Sequence, residues 1–132
     1  MSWDLFIQSL PEGITTVTEI PGDFQPQPLQ MRRGDLISVI TEIWPTVDKS
    51  DPAWLVADSD SWSIEFNLGR VDPVETFALH VRGNRPPLVE IARLLDDLGV
   101  RAIDPQAESG LFKFGTSIEN FGGWAAYRDR FL

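Results

Sequence analysis

The segment from Trp54 to Arg82 constrains the fold more than any other part of the chain, because an alternation of period two recurs along it. Trp62, Ile64, Phe66 and Leu68 alternate with Ser63, Glu65 and Asn67, and Phe77, Leu79 and Val81 alternate with Thr76, Ala78, His80 and Arg82. A strand with that period turns its apolar residues to one side and its polar residues to the other. A shorter apolar run, Trp54 to Ala57, enters the series through the turn-forming tetrad Asp58-Ser59-Asp60-Ser61. Short connections favour antiparallel neighbours, so the segment predicts a three-stranded meander with an aromatic core face and a polar face.

The flanks extend this sheet and cover it. Trp3, Leu5 and Ile7 alternate with Asp4, Phe6 and Gln8, giving a strand with apolar groups on both faces that ends at Pro11 and Gly13. Residues 20–30, IPGDFQPQPLQ, carry three prolines and a glycine and favour an extended connector. Leu36, Ile40, Ile43 and Trp44 then form a helical stripe over about 33–44, stopped by Pro45. Pro86 and Pro87 suit a first helical turn, Leu88, Ile91, Ala92, Leu95 and Leu98 make the second stripe, and Gly99 is placed to end it. Val100 to Ile103 reads as a short strand, and Leu111 to Phe114 is a candidate for another. Thr116 and Glu119 have capping-box spacing ahead of Phe121, Trp124, Ala125 and Phe131, which predicts a C-terminal helix. The order β-α-β-β-β-α-β, then α, predicts a single α+β domain over residues 1–132, a largely antiparallel sheet with helices on its aromatic face.

Composition removes several kinds of chemistry. With no cysteine and one histidine, the chain has no disulfide, no thiolate nucleophile and no multi-histidine metal set, so neither a metal nor a cofactor is expected. A net charge of −9 repels a phosphate backbone or an anionic bilayer, which argues against nucleic acid and membrane as partners. The sequence has no run of about 18 apolar residues and opens without a secretory pattern, so a cytoplasmic protein is expected. The charge is also uneven: Glu42 to Glu75 holds eight acids against Lys49 and Arg70.

Several strings taken together resemble a family of small, acidic bacterial proteins of uncharacterised function: WDLFIQSLP, SDPAWLVADSDSWSIEFNLG, FALHVRG and LGVRAIDPQ. The segment LGVRAIDPQAESGLFKF is separately similar to a strand and turn of several immunity proteins of bacterial toxin systems. That second likeness implies an interaction protein and carries no functional residue with it.

Candidate site residues come from the polar face and the turns. If the polar faces of the meander coincide, Glu65 lies opposite or diagonal to His80, with Arg82 close by. A carboxylate can orient an imidazole and an arginine can hold an anion, so a small enzyme or anion-binding protein built on Glu65, His80 and Arg82 is one reading. The bland alternative is that any half-buried antiparallel sheet shows such a face to water. Arg85, next to the second helix, could add an anion contact. The other reading is a non-catalytic protein-binding module, such as an immunity-type inhibitor, that offers Asp58, Asp60 and the surrounding acids to a basic partner. Trp54, which follows Asp51 and Pro52, is its candidate anchor, because exposed tryptophans often centre interfaces. No residue is assigned a catalytic role.

Overall fold

A computed structural model describes residues 3–9, 16–24, 29–107 and 109–112. Its strands are β1 (Trp3–Gln8), β2 (Trp54–Asp58), β3 (Trp62–Asn67), β4 (Phe77–Gly83) and β5 (Arg101–Ile103), and its helices are α1 (Arg33–Ile43) and α2 (Leu88–Leu98). They form one antiparallel sheet in the order β2-β3-β4-β1-β5, so the chain is an α+β domain. The meander β2-β3-β4 forms as its alternation requires, with Ile64, Phe66 and Leu79 fully buried. The C-terminal helix expected from Thr116 onward, Trp124 and residues 113–114 of the 111–114 segment lie outside the described residues.

Both helices share one core with the sheet: Leu36, Ile40 and Ile43 of α1 and Ile91, Leu94 and Leu95 of α2 cluster with Leu5, Ile7, Leu55, Ile64, Phe66, Phe77 and Leu79. Trp44, just past α1, tilts against Phe66 at 5.2 Å between ring centroids. The start of α1 is capped from outside, because the Arg33 N–H donates to Asp72 Oδ1 at 3.0 Å. That supplies the acceptor which Arg32, at the cap position, does not. The end of α2 is a Schellman turn: Gly99 sits at φ 65 and donates to the Asp96 carbonyl, and the Val100 N–H donates to the Leu95 carbonyl.

β1 inserts between β4 and β5, making it an interior strand. Its outer side is not covered by apolar neighbours as its composition suggests: Phe6 is 43% exposed. Short stretches also close the two edges of the sheet. Asp48 exchanges both backbone hydrogen bonds with Val56 of β2, at 2.7 and 3.1 Å. On the far side the Phe112 N–H donates to Ala102 of β5, and Leu111 bridges Ile103.

Candidate functional site

The face opposite the core is built by alternation alone. Because Leu5, Leu55, Phe66 and Leu79 point inward, Asp4 and Phe6 of β1, Trp54 and Val56 of β2, Glu65 and Asn67 of β3, and Ala78, His80 and Arg82 of β4 point outward. Pairing then sets them in lateral rows. One row runs Val56, Glu65, His80, Asp4, and the next runs Trp54, Asn67, Ala78, Phe6.

Glu65 does stand directly opposite His80, but the two side chains take other partners. The His80 Nδ1–H donates to Asp4 Oδ1 at 2.9 Å, and Arg82 Nη1 donates to Glu65 Oε2 at 2.9 Å. An imidazole donating from Nδ1 keeps Nε2 as an acceptor while it is neutral. Asp4 therefore fixes the ring, a role the sequence reading gave to Glu65. The Trp54 indole stacks on the same imidazole, with centroids 5.7 Å apart and planes at 20°. Trp54 is 38% exposed, one of four large apolar residues so exposed among those described.

The remaining candidates gather at the end of this face where β2 turns into β3. Asp58, Asp60 and Arg82 line a hollow of about 400 Å³ together with Trp62 and Asn84. Arg85 is exposed beside it, and its backbone N–H reaches the Ser61 carbonyl at 3.4 Å. Gly83 makes this junction possible: at φ +118, a Cβ would sit 2.3 Å from the Ser61 carbonyl oxygen and 2.5 Å from Trp62 Cα. Asp48, Asp51, Asp58 and Asp60 thus follow β2 and its two turns, whereas Asp72 and Glu75 belong to the β3–β4 connector and Glu42 to α1. The Ser50 hydroxyl and backbone N–H both donate to Asp48 Oδ1, at 2.6 and 2.9 Å, and hold its carboxyl below the usual range.

Arg82 is already neutralised by Glu65, so the geometry offers little to an incoming anion. Asp4 and His80 are an orienter and a base in the right relation, but among the described residues no hydroxyl is bonded to the imidazole. No group of three or more acidic or histidine side chains that could hold a metal occurs among them either. Nor is any helix among the described residues long and apolar enough to cross a membrane. Asp4 and Phe6 are what the sequence reading missed. Their outward parity was legible, but the place of β1 beside β4 was not.

No protein-family model, curated protein or solved structure matches this chain.

Proposed function

We propose that this chain is a non-catalytic protein-binding module, an immunity-type inhibitor of the bacterial cytoplasm, which docks a basic protein on the outer face of its sheet. The observation that carries the reading is Trp54, a large exposed ring held in place by stacking on an imidazole that Asp4 fixes. A preordered aromatic loses little rotamer entropy on binding, which is what makes such residues interface anchors. The closed edges favour the same reading: with Val56 and Ala102 already bonded, strand addition is hindered and the face is the accessible route. Acids along β2 supply a rim of the sign a basic partner needs.

The test is to capture the partner from a cognate lysate, confirm a one-to-one complex with purified components, and measure both rate constants. Trp54→Ala should raise the dissociation rate about 30-fold, a loss of about 2 kcal/mol, with little change in association. Equal affinity for the native protein and the Trp54→Ala variant would remove the main support for this face.

A further inference from the structure

Below the His80 row, the outer face is concave. A hollow of about 390 Å³ opens over Asn67 and Ala78, walled by Phe6 and bounded by Gln8, Gly69 and Thr76. It lies over the outer side of β4 between β1 and β3, where Phe6, Ala78 and Asn67 stand in one lateral row and Gln8, Thr76 and Gly69 stand two residues further along the same face. Ala78 stands between Phe6 and Asn67 in that row, and a larger side chain there would project into the hollow.

The lining is distinctive for what it carries. In a chain that is 23% charged, it has no charged side chain, and the Asn67 and Gln8 carboxamides and the Thr76 hydroxyl have no protein hydrogen-bond partner among the described residues. An ionic group would lose its hydration here without gaining a counter-charge. A purely aliphatic group would cover the three polar ends without bonding them. The group that fits has an apolar planar body to lie against Phe6 and an uncharged tip that both donates and accepts.

We infer that the hollow receives a tyrosine side chain of the basic partner, its ring against Phe6 and over Ala78, its hydroxyl among Asn67, Gln8 and Thr76. The inference rests on the protein-docking reading above and adds the chemistry of the partner's contact: an uncharged aromatic anchor, with basic residues on the one side that faces β2 and, further along the strands, Asp58 and Asp60. Charge complementarity divides the work, the acids drawing the partner in and the neutral hollow seating it.

The probe is N-acetyl-tyrosinamide, titrated into the isotope-labelled protein and followed by backbone amide shifts. Saturable shifts centred on Phe6, Asn67 and Ala78, with a roughly millimolar dissociation constant, are expected. N-acetyl-leucinamide and N-acetyl-argininamide should bind at least about fivefold more weakly. Ala78→Leu, which fills the floor, and Phe6→Ala, which removes the wall, should each weaken the tyrosine response about tenfold while the other amide shifts stay native. Two variants are used so that the test survives if one does not fold. Absence of a saturable response at those amides, an unchanged response in both variants, or a stronger response to maltose, which would indicate a saccharide site, each overturns the proposal. A partner complex that keeps its dependence on Trp54 but is indifferent to Ala78→Leu would overturn the tyrosine assignment and leave the docking reading intact.

Discussion

Asp104 is fully buried, and only one of its oxygens is satisfied. Its Oδ1 accepts from the Trp3 indole N–H at 2.8 Å and from the Gln106 backbone N–H at 3.0 Å, while Oδ2 is buried without a partner. The residue ties the outer end of β1 to the Asp-Pro-Gln turn, and its ionised form is poorly solvated there. Burial pushes its carboxyl above the ordinary value of 3.8, opposed by the hydrogen bonds from Trp3, Gln106 and Ala107. A carboxyl raised in the folded state contributes stability that is fully present below the unfolded value and is lost as pH rises through the folded one. The native protein should therefore gain stability relative to Asp104→Asn as pH is lowered from about 7 to about 3. Thermal unfolding of both proteins across that range measures it. A stability difference that stays constant with pH would mean that this carboxyl titrates normally. In the sequence the Asp-Pro-Gln string reads as the end of a strand and a turn; nothing local could show that its aspartate would meet Trp3, 101 residues away.

At the scale of elements, the strands and helices follow from period and caps, and the junctions follow from backbone geometry. Gly83 ends β4 where the chain must pass the Ser61 carbonyl, which takes hydrogen bonds from the Asn84 and Arg85 N–H groups at 2.8 and 3.4 Å. A methyl group at that position would meet backbone and not a movable side chain, and the residue would also hold a φ that L side chains rarely adopt. Gly83→Ala should cost on the order of 3 kcal/mol, read as a fall in the midpoint of denaturant unfolding. A cost below about 0.5 kcal/mol would show that the turn relaxes freely. Gly83-Asn84 is a turn-forming pair between β4 and α2, and the turn is held by the β2–β3 connection, which no local pattern shows. The buried arc of α2 is wider than its sequence stripe: Leu94, outside that stripe, is fully buried, because a helix lying over a sheet buries more than a single row of residues.

At the scale of the whole molecule, charge and shape act at different ranges. The acids of β2 and its turns act at a distance screened over about 8 Å at physiological salt, whereas Trp54 and the hollow beside Phe6 act only on contact. Association with a basic partner should slow steeply as salt rises, and dissociation should change little. Asp58→Asn combined with Asp60→Asn should lower the association rate at low salt and flatten its salt dependence. Stopped-flow measurements from about 20 mM to about 500 mM salt would show it. An association rate indifferent to both changes would leave these acids as a solubilising surface.

The alternation of Trp62 to Leu68 and of Phe77 to Val81 determined the meander, its parity and its open polar face, because a period of two is a local property of the backbone. Apolar stripes likewise determined α1 and α2, with Pro45 and Gly99 marking their ends, and composition alone decided against thiol chemistry. Which strand lies beside β4, by contrast, is settled by long-range packing. Insertion of β1 there brings Asp4 to His80, sets Phe6 across from Trp54 and opens the hollow over Ala78. Glu65, the neighbour the sequence offered to His80, is taken instead by Arg82. Pairing between strands more than 70 residues apart depends on the closure of the whole core, and no local pattern encodes it.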